Sequence, residues 1–171
     1  MGGPLVKTET TIDKTLREAI MAYEINMTQG AFVSDQKSSQ AAVSRKNPER
    51  SLQLALAAAE VALENGGTDI VLMDMTAQTA SFDYFVIATG TSQRQLRAIS
   101  EDIDHKLEDE LRDRRMNIDG FDNSNWIVMD YGTVLVHLFD ETTRQFYSIE
   151  ALWADADRVD LSEQLPKLKW R

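Results

Sequence analysis

The fold is decided by one stretch of sequence, Trp126-Ile127-Val128-Met129-Asp130-Tyr131-Gly132-Thr133-Val134-Leu135-Val136-His137-Leu138-Phe139. Two apolar runs flank a two-residue turn that contains Gly132, and this pattern predicts a β-hairpin. A loop made of Tyr131 and Gly132 fixes the pairing of the two strands. Trp126 is then expected to face His137.

Both faces of this hairpin are apolar, because side chains alternate between the two faces of a strand. One face is expected to carry Ile127, Met129, Val134 and Val136, and the other Trp126, Val128, Leu135, His137 and Phe139. A hairpin with one face in water alternates apolar and polar residues, and this one does not. The second face must therefore be covered by the protein's own helices or by a partner.

The sequence before the hairpin predicts a helix followed by two strands. Asn47-Pro48-Glu49 is a typical helix start, with an asparagine cap, a proline in the first turn and an acid near the positive end of the helix dipole. The helix is expected to end at Gly66-Gly67. Apolar runs then predict strands over residues 69–75 and 84–89.

A long helix separates these strands from the hairpin. Thr91 or Ser92 is expected to cap it, and its apolar residues repeat at helical spacing: Leu96, Ile99, Ile103, Leu107 and Leu111. Ser148 is expected to cap a short final helix. The predicted order is helix, strand, strand, helix, hairpin, helix, which corresponds to an α/β fold with a small mixed β-sheet packed by helices.

The predicted domain spans residues 47–157, with an N-terminal extension over 1–46 and a C-terminal tail over 158–171. Within the extension, apolar residues at helical spacing between Ile12 and Met27 predict a short amphipathic helix, and residues 30–46 are expected to be a linker. Two interpretations of the extension stay open. It is either a dispensable tail or a lid that covers the second apolar face of the hairpin.

The charge is unevenly distributed along the chain. The net charge is −10. Residues 1–46 have six Lys or Arg against five Asp or Glu, whereas residues 47–171 have twelve against twenty-three. An acidic domain gains nothing from phosphates, so broad or sequence-specific nucleic-acid binding is not expected. The acidity indicates either a basic protein partner or a contribution to solubility alone.

Composition also excludes several classes of chemistry. The chain has no cysteine and two histidines, His105 and His137, so disulfides and thiolate sites are excluded and no metal or cofactor is expected. No apolar run is long enough to span a bilayer. Acidic residues near the N-terminus argue against a transit peptide, and the cytoplasm is the expected compartment.

Two polar groupings suggest ligand binding but have simpler interpretations. Gly90-Thr91-Ser92 lies at a strand-to-helix turn that could bind an anion, although it lacks the spacing of a phosphate loop and is expected to act as a cap. Asp69, Asp74 and Asp83 flank the first two strands and could hold Mg²⁺ for phosphoryl transfer. We interpret them as strand ends and turn formers.

His137 admits three interpretations. It could be a general base, but no serine or cysteine nucleophile motif accompanies it. It could be a structural histidine that donates to a carboxylate such as Asp130, which the residues favour. It could also contact a partner.

The sequence from about Leu52 to Ala154 resembles the ribosomal silencing factor family, RsfS, also called Iojap-like. The strand-to-helix part of the resemblance is Asp83-Tyr84-Phe85-Val86-Ile87-Ala88-Thr89-Gly90-Thr91-Ser92 with Arg94-Gln95. The second part is carried by Gly120, Trp126, Asp130, Tyr131, Gly132, Val134, Val136, His137, Phe139, Arg144, Phe146, Tyr147, Glu150, Leu152 and Trp153. Thr133 and Ile149 depart mildly from the family pattern, which often has Asp and Leu there.

This resemblance implies a translational silencing factor without catalytic residues. The family binds the large ribosomal subunit through one ribosomal protein, number fourteen in the universal series, and blocks joining of the small subunit. It also implies a possible homodimer. The alternative is a nucleotide-binding or nucleotidyltransferase-type enzyme, because the family resembles nucleotidyltransferases in topology. That alternative lacks the Gly-Ser turn and Asp-x-Asp pair of those enzymes.

The resemblance also selects the residues expected to bind a partner. They are Trp126, Asp130, Tyr131, His137, Tyr147, Glu150 and Trp153. Aromatic residues are enriched at interface hot spots. Tyr131 is expected to be solvated at the tip of the hairpin, and Trp126 is either core or interface.

Overall fold

The computed structural model describes residues 47–122 and 125–167. The helix predicted between Ile12 and Met27 and the linker after it lie outside the described residues. The strands in the described part of the chain are β1 (Thr68–Asp74), β2 (Tyr84–Gly90), β3 (Asn117–Asp119), β4 (Trp126–Asp130), β5 (Val134–Asp140) and β6 (Asp157–Arg158). The helices there are α1 (Pro48–Glu64), α2 (Gln93–Asp104), α3 (Glu141–Tyr147), α4 (Ile149–Leu152) and α5 (Leu161–Gln164).

These strands form one mixed sheet in the order β3-β4-β5-β2-β1-β6. The central pair, β2 with β5, is parallel, and the other neighbouring pairs are antiparallel. Every residue of β2 is buried, as is β5 up to its last residue. The predicted α/β class, with a small mixed sheet packed by helices, is confirmed.

Helix α1 begins and ends where the sequence predicts. The Asn47 side chain accepts a hydrogen bond from the Arg50 N–H at 3.1 Å, and Pro48 occupies the first turn. At the other end Gly66 takes a left-handed φ of 77°, which glycine adopts without strain. The buried face of α1 is rich in alanine, namely Ala55, Ala57, Ala58, Ala59 and Ala62, so the helix can lie close to the sheet.

The hairpin has the predicted faces but a different register. Trp126 pairs with Phe139, and Val128 pairs with His137, so the register differs by two residues from the predicted one. The loop residues are Gly132 and Thr133, because the Tyr131 N–H donates to the Val134 carbonyl at 3.0 Å. A slip of two residues keeps each side chain on its face, whereas a slip of one would reverse them.

The two faces of the sheet build two separate cores. One core lies under α1 and α2 and contains Ile127, Met129, Val134 and Val136. The other contains Val128, Leu135, Phe139, Phe82 and Phe85, with Trp126, Tyr147, Leu152 and Trp153 packed against it. The second apolar face is therefore covered by α3, α4 and the segment before β2. Of the two predicted alternatives, the protein's own helices provide the cover.

The long second helix changes geometry near its end. Ser92 caps α2 by accepting from the Gln95 N–H at 3.2 Å, which confirms the predicted cap. After Asp104 the chain continues as a π-helical turn, His105–Glu110, and the Leu111 N–H donates to the Lys106 carbonyl. The wider turn keeps Leu107 in the core.

Four short elements were absent from the sequence prediction: β3, α3, β6 and α5. Strand β3 pairs with β4, and β6 pairs with β1 at the other edge of the sheet. After β6, Leu161 of α5 is buried in the core under α1 and α2. The proposed division of the chain at residues 47 and 157 stays a prediction.

Tyr131 is buried, so its predicted solvation at the hairpin tip is wrong. Its side chain is 1% exposed, and its hydroxyl donates to the Asp104 carboxylate at 2.5 Å. Arg115 forms an ion pair with the other carboxylate oxygen of Asp104. Burial is the main cause that raises the pKa of the Tyr131 phenol. The chain folds back at Tyr131 against the end of α2, which removes the hairpin tip from water.

In the described ranges, no helix combines the length and hydropathy of a membrane span. The longest of these helices is α1, with 17 residues.

Tyr131→Phe should lower the free energy of unfolding by about 1–2 kcal/mol, because it leaves the partly buried Asp104 carboxylate without one of its donors. Tyr131→Ala should cost more, about 3–5 kcal/mol, because it also opens a cavity. Urea unfolding followed by circular dichroism measures both. Phe146→Ala is the matched aromatic control, since this side chain is 71% exposed and its loss should change stability by no more than about 0.5 kcal/mol. A Tyr131→Phe variant as stable as the wild type would contradict the structural role.

Candidate functional site

The second core contains a cluster of aromatic rings that reaches the surface. We call it the aromatic cluster; its members are Phe85, Trp126, His137, Phe139, Tyr147 and Trp153. The Trp126 ring stacks on Phe139 with 4.9 Å between centroids and packs on Tyr147 at 4.7 Å. Trp153 packs edge-on against Phe85 at 6.3 Å. These contacts join α3 to the hairpin and the residue after α4 to β2.

Helix α3 adds an exposed aromatic ring to this cluster. Phe146 is 71% exposed and packs edge-on against Tyr147 with 5.1 Å between centroids. Tyr147 in turn contacts the partly buried Trp126. We call Trp126, Phe146 and Tyr147 the aromatic surface. Within the part of the chain that the structure describes, Phe146 is the one exposed large hydrophobic residue, and it extends a patch of aromatic rings, the residue type enriched at interface hot spots.

Arg144 holds helix α3 against the sheet. Its Nε and Nη2 donate to Glu150 Oε1 at 2.9 and 2.5 Å, and its Nη1 donates to the Asp69 carbonyl at 2.6 Å and to Thr89 Oγ1 at 2.7 Å. The Arg144 and Glu150 side chains are only 13% and 19% exposed. A guanidinium with this many acceptors fixes α3 relative to α4, β1 and β2.

Two residues beside this clamp have backbone conformations that non-glycine residues rarely adopt. Ser148, between α3 and α4, has φ 45°, and Asp69, in a bulge of β1, has φ 49°. The left-handed conformation of Ser148 ends α3 and reverses the chain into α4. The predicted Ser148 cap is a different interaction, because its hydroxyl donates to the Gln145 carbonyl at 2.6 Å and makes no cap bond to α4. Asp69 turns its carbonyl to Arg144, so both unusual conformations support the position of α3.

His137 lies inside the aromatic cluster and is 1% exposed. Its Nδ1 accepts a hydrogen bond from Trp126 Nε1–H at 3.2 Å. The predicted bond to Asp130 is wrong, because Asp130 Oδ1 accepts from the Gly132 N–H at 2.7 Å in the loop. Burial lowers the pKa of His137 to about 3, so the ring is neutral at physiological pH. A buried neutral ring inside apolar neighbours has no access to a substrate proton in this conformation.

The residues predicted to bind a partner divide into two groups. Asp130, Tyr131 and His137 are buried. Trp126, Tyr147, Glu150 and Trp153 are partly buried and lie on the second face of the sheet or on the helices that cover it. Whether any of them binds a partner stays a prediction.

Phe146 is missing from the predicted residues, although the sequence contains a signal for its helix. Asp140 accepts from the Thr143 N–H at 2.7 Å, so Asp140 followed by Glu141 and Thr143 is a typical helix start. The helix has two adjacent aromatic residues near its end, and adjacent residues point in different directions. One of the two must then be exposed.

The carboxylates considered for Mg²⁺ do not form one site. The β1–β2 register places Asp74 beside Tyr84, whereas Asp69 lies near the other end of the same strand. Asp74 accepts from the Thr76 N–H at 2.9 Å, and Asp83 accepts from the Ser51 hydroxyl at 2.7 Å. Their roles as strand ends and turn formers agree with the interpretation above. The described residues contain no group of three or more His, Cys, Asp or Glu side chains placed to hold a metal ion.

Comparison with known proteins gives one consistent family. Residues 48–170 match the family model described as "Ribosomal silencing factor during starvation". The ribosomal silencing factor of Bacillus subtilis (strain 168) is 35% identical over 67% of this chain and 94% of that protein. The mouse protein named "Mitochondrial assembly of ribosomal large subunit protein 1" is 32% identical over 53% of this chain and 40% of that protein.

Solved structures agree with the fold. A crystal structure of a protein from Chromobacterium violaceum has a TM-score of 0.58 and 31% identity, and it covers 60% of this chain and 85% of that one. A crystal structure of a protein from Bacillus halodurans has a TM-score of 0.53 and 28% identity, and it covers 64% of this chain and 95% of that one.

Arg144→Met should lower the free energy of unfolding by about 2 kcal/mol or more, because the Glu150 carboxylate and two further acceptors lose their donors. It should also speed hydrogen exchange of the α3 amides more than that of the α1 amides. Asp109→Asn is the control, since the Asp109 and His105 side chains in this contact are 68% and 69% exposed and their interaction should contribute about 0.2–1 kcal/mol at most. Equal protection of α3 in Arg144→Met and wild type would show that the clamp is not needed.

Proposed function

The chain belongs to the ribosomal silencing factor family, and we propose that it silences translation by binding the large ribosomal subunit and blocking its joining to the small subunit. The proposed attachment point is the large-subunit protein number fourteen. The proposed place of action is the cytoplasm, where ribosomal subunits join. The relatives are named as ribosomal silencing factors and as a large-subunit assembly protein, not as enzymes.

The exposure of Phe146 is the observation that carries this proposal. An exposed phenylalanine contributes little to the core, and this one packs on Tyr147, which in turn packs on Trp126. A rigid aromatic ring loses little conformational freedom on binding, and for this reason aromatic residues dominate interface hot spots. The aromatic surface is therefore the proposed contact with the ribosomal protein.

The polar residues around the aromatic surface fit a basic partner. Glu141 and Gln145 are exposed on α3, and Gln145 donates to Glu141 at 3.2 Å. Glu150 is partly buried with its carboxylate on Arg144. An apolar centre with a polar rim is the usual anatomy of a protein interface. The surplus of acidic residues in 47–171 adds long-range attraction for a basic ribosomal protein.

The buried residues among those predicted to bind a partner support the aromatic surface from within the fold in this proposal. Asp130 shapes the hairpin loop through the Gly132 N–H, and Tyr131 fixes that loop to α2 through Asp104. They keep the hairpin rigid, so the aromatic surface is preformed.

In the absence of ribosomes the same apolar surface is proposed to mediate a homodimer, which the ribosomal partner would replace. Light scattering with and without large subunits would detect this exchange.

Phe146→Ala should weaken binding to purified large subunits about tenfold or more, the effect of losing one hot-spot side chain. It should reduce inhibition of subunit joining in the same proportion. Co-sedimentation gives the affinity, and light scattering of mixed subunits gives the joining rate. Asp102→Ala is the control on the opposite layer of the molecule, where Asp102 is exposed on α2. If Phe146→Ala and Asp102→Ala bind equally well, α3 is not part of the interface. If the wild-type protein has no effect on subunit joining, the proposed function is wrong.

Association should slow as ionic strength rises from about 50 mM to about 500 mM, because salt screens the attraction between an acidic domain and a basic partner. Stopped-flow fluorescence of the tryptophans can follow the on-rate. The off-rate should change much less, since contacts at short range hold the complex. An on-rate that does not depend on salt would assign the acidity to solubility alone.

A further inference from the structure

His137 is a polar residue in an apolar part of the molecule. Its ring packs edge-on against Phe85, with 5.2 Å between centroids, and stacks on Phe139 at 6.0 Å. It is neutral and 1% exposed. An apolar side chain of similar size would fill this position without burying any polar atom, so the presence of imidazole needs a physical reason.

The hydrogen bonds of His137 show how its ring destabilises the fold at one nitrogen and binds Trp126 through the other. Nδ1 accepts from Trp126 Nε1–H at 3.2 Å. In the neutral ring the proton is then on Nε2, which is buried and has no hydrogen-bond partner. A buried donor without an acceptor destabilises the fold. The compensating interaction is the bond to Trp126, and that bond reaches a residue of the aromatic surface.

The geometry of the hairpin explains how this bond controls Trp126. Trp126 pairs with Phe139, and His137 lies two residues earlier on the same strand, so Trp126 and His137 are diagonal neighbours on one face. Stacking on Phe139 alone would also accept the indole turned over by rotation about χ2, because stacking does not distinguish the two edges of the ring. A hydrogen bond to Nε1 removes that freedom, since it directs the N–H inward and leaves ring carbons for the exposed part of the side chain.

We propose that His137 is a positioning residue for partner binding: it does not touch the partner, and it sets the orientation in which Trp126 is presented beside Tyr147 and Phe146. This inference rests on the proposed function. It changes the role of His137 from a contact residue to one that acts through Trp126. The same role explains why the unpaired Nε2–H is retained: it destabilises the fold, but the Nδ1 of the same ring holds the aromatic surface in place.

A double-mutant cycle tests whether His137 acts through Trp126. His137→Phe keeps an aromatic ring and removes the acceptor, and Trp126→Phe keeps a ring on Phe139 and removes the N–H. His137→Phe should weaken binding to large subunits about fivefold, the effect of one neutral hydrogen bond, and less than about twofold in the Trp126→Phe background. Equal weakening in both backgrounds would overturn the inference, because a general structural effect does not depend on the indole N–H.

A spectroscopic readout separates positioning from stability. The Trp126 indole N–H resonance is assigned by its loss in Trp126→Phe. It should shift upfield and exchange faster with water in His137→Phe, while an Asn side chain can offer an oxygen near the place of Nδ1. His137→Asn should therefore lie closer to the wild type than His137→Phe in both resonance position and affinity, although it is the smaller residue. An indole resonance that His137→Phe leaves unchanged, or a reversed order of the two variants, would overturn the inference.

Failure of the inference and failure of the proposed function give different results. If the wild type does not bind large subunits, the proposed function is wrong, and so is the proposed role of His137 in binding them. An indole shift in His137→Phe would then show that the geometry is right and the partner is not. If the wild type binds and the cycle shows no coupling, the proposed function stands and His137 is an ordinary core residue.

Discussion

The pairing of β5 between β2 and β4 is the constraint on which the rest of the structure depends. Strand β2 is buried throughout and β5 nearly so, which means that both faces of the central sheet must be covered. Helices α1 and α2 cover one face with a broad layer. Among the described residues, the helices that cover the other face, α3 and α4, are short, so aromatic rings supply much of the buried area there.

The short helices α3 and α4 form a thin layer on the second face of the sheet, and this explains why the aromatic surface lies on α3. A helix of 7 residues is too short to bury much surface, and α3 is held instead by the Arg144 clamp and by the tilted packing of Tyr147 on Trp126. Once these interactions fix the helix, Phe146 points away from the core. The exposed ring therefore projects from a helix that is held in place without being part of the core, and a preformed contact of this kind loses less entropy on binding.

Local chemistry made much of this fold predictable. The caps at Asn47 and Ser92 are fixed by bonds within three residues, and the faces of the hairpin follow from alternation alone. The register was wrong by two residues because Gly132 and Thr133, not Tyr131 and Gly132, form the loop. Helix α3 and the edge strands β3 and β6 were missed because such short segments have no periodicity to detect.

The candidate site was less predictable because its decisive contacts are distant in sequence. Tyr131 is buried by Asp104, which is 27 residues away, and Arg144 reaches Asp69, which is 75 residues away. No local pattern contains such partners. His137 shows the same limit: alternation places it on the correct face, but only the three-dimensional register shows that its bond goes to Trp126 and not to Asp130.

Site-specific photo-cross-linking from position 146 tests the central claim most directly. A photoreactive phenylalanine analogue in place of Phe146 keeps the aromatic ring and the exposed position on α3. Irradiation with purified large subunits, followed by mass spectrometry, identifies the molecule in contact with that ring. The account predicts a cross-link to the large-subunit protein number fourteen. Cross-links to ribosomal RNA or to a different protein, or none under conditions where the protein co-sediments, would contradict it.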